Sequence, residues 1–293
     1  MKKSSSFIAS LLLLIGVFFW GCTFVIVKEA VTIVDPFSFV GIRFAIASII
    51  IGLFFTKNFK KINKKTIVFS IISGIILAVS FLLQTFSLKY TSASNSAFIT
   101  GLCVVLVPVY VTIIDRKLPT VIQLISVFAA LAGLVLMTLN FPIRLNFGDL
   151  LAFLCAIGFG LQIVLVGRLP DDVDASLFTI IQLFIVSVFS LLSGFIINGG
   201  LTISLDWVVV RAILFCAIFA TAYIYIVQSH LQRNVSEIKA VSIYSFEPVF
   251  AAVVAYLYLG ESLSGKAVSG AFLIFAAMIM SEIKLSNIKT IGK

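Results

Sequence analysis

Residues 66–88 read TIVFSIISGIILAVSFLLQTFSL, 23 residues without a charge, bounded by Lys64-Lys65 before and Lys89 after. As a helix at ~1.5 Å per residue such a run reaches about 35 Å, enough for a hydrocarbon core of roughly 30 Å. It lacks the ten-residue alternation of a barrel strand. Ser80, Gln84 and Ser87 fall at i, i+4 and i+7, a single polar stripe on an otherwise apolar helix. The stretch therefore predicts a membrane-spanning helix.

Working outward from it, apolar runs between charged or Pro/Gly breaks give ten candidate spans. Their limits are 6–27, 36–55, 66–88, 93–114, 120–139, 149–167, 175–197, 207–229, 239–259 and 266–283. Composition agrees. Apolar residues make up 61% of the 293 and charged residues 11%, with a mean hydropathy of +1.21. A soluble domain is roughly 45–50% apolar and about a quarter charged. Ten spans leave about 90 residues for loops and tails, too few for a sizeable soluble domain. A soluble enzyme, a disordered chain and a single-anchor protein are excluded.

The formal charge of +9 does not call for nucleic acid, because basic residues mark the cytoplasmic side of a membrane. On ten spans, 15 Lys and Arg fall on the side of the amino terminus: Lys2 and Lys3, the cluster from Lys57 to Lys65, Arg116, Lys117, Arg168, Arg233, Lys239 and the tail. Five fall on the other: Lys28, Lys89, Arg144, Arg211 and Lys266. That bias predicts both termini in the cytoplasm and a location in the cytoplasmic (inner) membrane. Cys22, Cys103, Cys155 and Cys216 all lie in apolar runs, so they read as small packing residues rather than disulfides or zinc ligands. Gly21-Cys22 behind an apolar run resembles a lipoprotein signal, but Phe19-Trp20 is too bulky for its cleavage site and the run continues to Val27, which predicts a retained first span.

The chain repeats at about 140 residues. The run from Phe37 to Phe44 aligns with Ser176 to Leu183 at an offset of 139. Gln84, Lys89 and Ser92 align with Gln228, Arg233 and Ser236 at 144, and Asp115 to Leu118 with Gly260 to Leu263 at 145. Two units follow, residues 1–140 and 141–293, with five spans each. An odd number inverts the second unit, and inverted repeats are a signature of secondary transporters.

Several motifs resemble the drug/metabolite transporter superfamily, specifically its ten-helix EamA type. They are Phe19-Trp20-Gly21 with Val27-Lys28, Asp35-Pro36 with Arg43-Phe44, and the run Ser94 to Leu102. Further along come Glu247-Pro248-Val249-Phe250, Leu259-Gly260-Glu261 and Gly270. The likeness covers essentially the whole chain. It implies an all-α polytopic membrane protein of ten transmembrane helices, two inverted five-helix repeats around a central cavity. It also implies a small-molecule substrate, among amino acids, nucleotide sugars, purines, choline-like cations and other metabolites.

Polar groups in hydrocarbon are costly and face the bundle or a wet cavity. Glu247 lies eight residues beyond Lys239, about 12 Å into its span, with Tyr244 on the same face. Pro248 removes a backbone donor there. Two readings stay open for Glu247: a cavity carboxylate that binds a substrate ammonium or takes a proton, or a neutral structural Glu. Gln84 and Gln228 are repeat-related and predict opposing cavity walls, with interhelical bonding as the alternative. Thr221, Tyr225 and Gln228 form a second polar stripe. Gln162, Asn95 and Trp20 complete the substrate-binding candidates. Arg43, seven residues past Pro36, is a gating or structural candidate whose side chain has the length to snorkel to the interface. His230 reads as interfacial.

Gly260 to Ala267 nearly spells a phosphate loop, but Ala267 lacks the hydroxyl for magnesium and the run follows a membrane helix, not a strand. No cofactor or metal is called for. The expectation is a secondary transporter without catalysis, most simply an exporter of amino acids or related metabolites. Uptake of a nucleobase, vitamin or quaternary amine is the alternative, and a non-transport sensor or assembly subunit is a further one. The expected partners are the lipid bilayer and the substrate, with possible proton coupling.

Overall fold

The computed structural model describes residues 2–138, 146–259 and 265–282, and their regular structure is helical throughout. The helices are α1 (Lys2–Ala30), α2 (Pro36–Phe54), α3 (Lys64–Tyr90), α4 (Ala93–Gly101), α5 (Cys103–Asp115), α6 (Val121–Thr138), α7 (Phe147–Gly167), α8 (Ala175–Asn198), α9 (Trp207–Ala217), α10 (Ile224–Leu231), α11 (Glu237–Tyr244), α12 (Glu247–Leu259) and α13 (Gly265–Glu282). Among the described residues seven helical stretches are long and apolar enough to cross a membrane, Asn95–Asp115 (α4 with α5) and Trp207–Leu231 (α9 with α10) each counting as one, and the shorter apolar helices Val121–Leu136 and Val268–Ala277 accompany them. The outer faces are as apolar as the core. Phe128, Phe195 and Phe272 each leave more than half their surface uncovered, which suits lipid and not water. The near phosphate loop at Gly260 to Ala267 and Arg144 lie wholly or partly outside the described residues.

α2 and α8 pack side by side in a reciprocal way. Ser48 Oγ on α2 donates to the Ile180 carbonyl at 3.1 Å, and Ser187 Oγ on α8 donates to the Gly41 carbonyl at 2.8 Å. Each helix begins at an Asp N-cap, which satisfies amides that have no partner inside the helix. Asp35 accepts from Ser38 N at 3.0 Å, and Asp174 from Ser176 N and Leu177 N at 3.1 Å. Each cap also grips the segment just past the far end of the opposite helix. Asp35 accepts from Thr202 N at 3.4 Å, while Asp174 accepts from Asn58 Nδ2 at 3.1 Å and faces Lys61 Nζ at 3.7 Å.

Elsewhere α3 packs on α7 and α8, α1 on α12, and α6 on α13. The last contact is close. A methyl built on Gly133 would meet the Gly270 carbonyl oxygen at 2.6 Å, so the two backbones touch where a side chain would separate them.

Candidate functional site

Three local features gather polar side chains at the middle of the bundle. The first is a pair of helix breaks. α4 gives way to α5 at Leu102 (φ −62°, ψ −10°), and α11 gives way to α12 after Ser245 (φ −62°, ψ −8°). In the second break Phe246 N turns back to Ile243 O at 3.1 Å. Pro248 has no N–H to offer Tyr244 O, so the helix does not run through. The breaks lie together, since a methyl on Gly101 would sit 3.8 Å from Pro248 Cγ. Ser92 and Ser236 cap the two entering half-helices, accepting from Asn95 N at 3.0 Å and Lys239 N at 3.2 Å.

The second feature is a π turn, Ile218–Tyr223, between α9 and α10. Ile224 N bonds Thr221 O, which leaves the Ala220 carbonyl for side chains. Trp20 Nε1 and Arg43 Nη2 both donate to it at 3.0 Å. Such turns recur at functional sites. The third feature is Gly21. A Cβ there would lie 2.7 Å from Phe250 Cβ and 2.9 Å from Glu247 O. Glycine thus lets α1 and α12 touch, and sets Trp20 beside the start of α12.

The resulting cavity has Arg43, Glu247, Gln84, Gln162, Gln228, Trp20, Tyr225 and Tyr244 in its wall. The cavity is small, about 40 Å³. Gln162 and Gln228 face each other as an amide pair, Nε2 to Oε1 at 3.3 Å in both directions. Gln84 and Gln228 both line the cavity, but Gln228 spends its amide on Gln162. Tyr244 Oη donates to Gln232 Oε1 at 2.8 Å, and Gln232 Nε2 donates to Ile163 O at 2.6 Å. The Trp20 ring meets Tyr244 edge-on at 5.4 Å between centroids.

Arg43 is only 3% exposed. Its side chain does not snorkel. Nε donates to Thr221 Oγ1 at 2.7 Å, and the guanidinium lies 5.3 Å from the Phe44 ring and 5.1 Å from the Phe81 ring. The freed carbonyl, the hydroxyl and two ring faces supply what the interface would have offered. The Glu247 carboxylate lines the same cavity, lies within electrostatic reach of Arg43, and receives no hydrogen bond from a described residue. No N···O approach within 4.0 Å joins the two among the described residues.

Asn95 stands apart. It is the third residue of α4, half-buried, and outside the cavity wall. Pro248 is buried behind the wall against Gly101. Thr23, Phe81, Thr100, Cys103, Phe159 and Ile163 also line the space and were not predicted. An apolar or small residue inside an apolar span has no sequence signal to mark which way it faces. His230 lies at the end of α10, with Nδ1 3.0 Å from Ile226 O and Nε2 3.2 Å from Ser176 Oγ. A carbonyl only accepts, so Nδ1 donates to Ile226 O. Among the described residues no three His, Cys, Asp or Glu side chains stand together as metal ligands.

Comparison with known proteins agrees with this architecture. An uncharacterized transporter of Archaeoglobus fulgidus is 31% identical over 271 residues, covering 91% of this chain and 83% of that one. The uncharacterized transporter YoaV of Bacillus subtilis is 22% identical, covering 92% and 95%. A crystal structure superimposes with a TM-score of 0.74 at 15% identity, over 93% of this chain and 96% of that one, a likeness of fold. The model of the EamA-like transporter family matches twice, at residues 7–139 and 146–282, so the chain belongs to that family and is a multi-pass membrane transporter.

Proposed function

We propose that the chain is a secondary transporter of the cytoplasmic membrane, working by alternating access and exporting amino acids or related small metabolites. The observation that carries this reading is the central cavity, where two interrupted helices meet beside one acid and one base. Interrupted helices at mid-membrane are a recurrent way of building transporter sites.

The proposed architecture is ten spans in two inverted repeats, residues 1–140 and 141–293. In it the seven long helices are joined by α6, the α11–α12 pair and α13. The two family matches in tandem support it. So do the reciprocal bonds, because Gly41 and Ile180, Ser48 and Ser187, and Asp35 and Asp174 are each 139 residues apart. Ser92 and Ser236, the caps of the entering half-helices, are 144 apart.

Alternating access needs contacts that break at one end while forming at the other. Both ends hold bridges between the two units. At the end expected in the cytoplasm, Arg168 on the second unit forks onto Asp115 of the first at 2.6 and 2.9 Å and reaches Glu237 at 3.1 Å. At the other end Thr91 Oγ1 donates to Asp149 Oδ1 at 2.6 Å, beside the Asn146 cap. A cavity of about 40 Å³ is far below the roughly 300–1,000 Å³ of a ligand site, so the proposed cycle widens it. The Lys and Arg bias supports both termini in the cytoplasm, and Glu247 is the group proposed to exchange a proton.

The test is counterflow. Purified protein in proteoliposomes loaded with one unlabelled metabolite at a time should accumulate the labelled form of its substrate. Vesicles that exchange no metabolite, from protein shown to be folded, would remove the transporter assignment for these substrates.

A further inference from the structure

Two features meet at the end of the bundle expected in the cytoplasm. The first is a short 3₁₀ helix, Thr56–Lys61, which follows α2. Residues three apart share a face of such a helix, so it has three faces of different chemistry. Asn58 and Lys61 turn to the start of α8, where both meet Asp174, at 3.1 Å and 3.7 Å. Lys57 and Lys60 hold another face. Both are exposed, and neither pairs with an acid among the described residues. The third face carries Phe59, 45% exposed, and Ile62 just beyond continues it.

The second feature is an open groove lined by Phe55, Ile226, Val227, His230 and Leu231. Phe55 caps the end of α2, and the other four lie on the last turns of α10. His230 is the polar member, but its Nδ1 donates to Ile226 O and its Nε2 lies 3.2 Å from Ser176 Oγ. Both ring nitrogens are engaged, so the groove offers an occupant hydrocarbon and no free polar group. Leu53 and Phe54, just before Phe55, are 71% and 81% exposed, which suits an end of α2 that faces lipid. Lys57 stands two residues past Phe55, at most about 7 Å along the chain. A cationic pair this close to an apolar groove matches one molecule with an anionic head and a long tail. A soluble anion would leave the groove unfilled, and a zwitterionic lipid would set its own cation against the two lysines.

We propose that this corner binds one anionic phospholipid of the cytoplasmic leaflet, its phosphate on Lys57 and Lys60 and an acyl chain along α10 in the groove. Basic clusters just cytoplasmic of a membrane helix attract such lipids, because that leaflet carries negative charge. The groove adds what a basic cluster alone lacks, a fixed place for one chain. The site is separate from the central cavity and from whatever that cavity carries.

The experiment is native mass spectrometry of the purified full chain, released from nanodiscs of phosphatidylglycerol mixed with phosphatidylcholine of the same acyl chains. The wild type should retain one phosphatidylglycerol, preferred roughly 30-fold, at about fivefold for each of the two lysines. Lys57→Gln with Lys60→Gln should remove the preference. Arg116→Gln with Lys117→Gln, which deletes two exposed charges elsewhere, should keep it. Soluble glycerol phosphate should not displace the lipid. A phosphatidylglycerol with a photoactivatable acyl chain should mark the peptide holding Ile226 to Leu231, and Ile226→Trp, which fills the groove, should suppress the mark. Should Ile226→Trp not fold, Phe55→Ala removes one wall and should weaken the mark instead. Equal retention of the two lipids by the wild type would overturn the proposal. So would an equal fall in both charge variants, which marks a diffuse surface potential, or displacement by glycerol phosphate, which marks a soluble-anion site. Labelling spread over the outer helices, or unchanged in the groove variants, would overturn it as well.

Discussion

Gly21 is where helix packing and the cavity meet, so Gly21→Ala tests both. The added methyl would lie 2.7 Å from Phe250 Cβ, 2.8 Å from Ala251 N and 2.9 Å from Glu247 O. These are main-chain and Cβ atoms, and none can swing aside as a side-chain tip would. Ordinary carbon contacts lie at about 3.5–4.0 Å, so α1 and α12 must part by about 1 Å. Overpacking of this kind costs about 1–3 kcal/mol. Alanine in place of glycine within a helix returns about 1 kcal/mol. The net is a loss of roughly 0–2 kcal/mol, a modest fall in the unfolding temperature. Transport should suffer more, because the shift carries Trp20 away from Glu247, and displacement of about 1 Å at a site can cost on the order of a hundredfold. Gly52→Ala is the control, since a methyl there meets nothing within 4 Å and should gain about 0.5–1 kcal/mol from helix propensity. Thermal unfolding in detergent and counterflow in proteoliposomes read the two effects. If Gly21→Ala matches Gly52→Ala in both, the α1–α12 contact does not position the site and the argument fails.

Four further outcomes are expected. Ser48→Ala and Ser187→Ala should destabilise by similar small amounts, about 0.6 kcal/mol each, and thermal melts that differ widely between them would deny the reciprocal α2–α8 pairing. Burial pushes the Asp174 carboxyl up, but bonds from Leu177, Asn58 and Ser176 and the Lys61 charge outweigh it and hold it below the usual carboxylate range. Its contribution is therefore present above the unfolded value near ~3.9 and lost as pH falls through the lower folded value. Asp174→Ala should thus cost about 1 kcal/mol at neutral pH, with the deficit shrinking in melts below about pH 4. Glu247→Gln should leave a folded, inserted protein with transport strongly impaired and its pH profile flattened, and wild-type rates with an unchanged profile would make Glu247 structural. Reporters fused after Lys57 and at Lys293 should read cytoplasmic and one after Arg144 external; a cytoplasmic signal at Arg144 would break the ten-span arrangement.

Helix positions were legible because each signal is local. Lys64-Lys65 and Lys89 bracket a long apolar run, and the run is α3. Pro248 announces an interruption, and the chain breaks just before it. The break at Leu102 carries a weaker mark, the adjacent Gly101, which disfavours a helix without forbidding it. Sequence also gives depth better than direction. Counting from Pro36 places Arg43 below the interface, but which way it turns depends on a carbonyl freed by a π turn 177 residues away. In the same way Gln228 could be placed on a polar stripe, but not paired with Gln162. Apolar helices that bury some faces and show others to lipid offer little contrast in hydrophobicity, so the rotation of Phe81 or Cys103 into the cavity was invisible.

On the proposed repeat, symmetry and chemistry divide the work. The α2–α8 serines, the Asp caps and the two helix breaks obey the two-fold relation, and these are the parts that must take equivalent arrangements in two states. The charges do not obey it. At an offset of 139 Arg43 corresponds to Gln182, a buried residue whose Nε2 has no partner. At 144 Glu247 corresponds to Cys103, which lines the same cavity. Each unit thus contributes one charge of opposite sign, and neither charge is duplicated. A symmetric pair of bases or acids would hold a ligand in two equivalent orientations and leave two like charges buried together. One of each kind makes the cavity wall asymmetric. Restoring the symmetry by Gln182→Arg would place a second buried cation on α8 without a described counter-ion. That substitution should destabilise the fold by several kcal/mol, a cost that the present arrangement avoids.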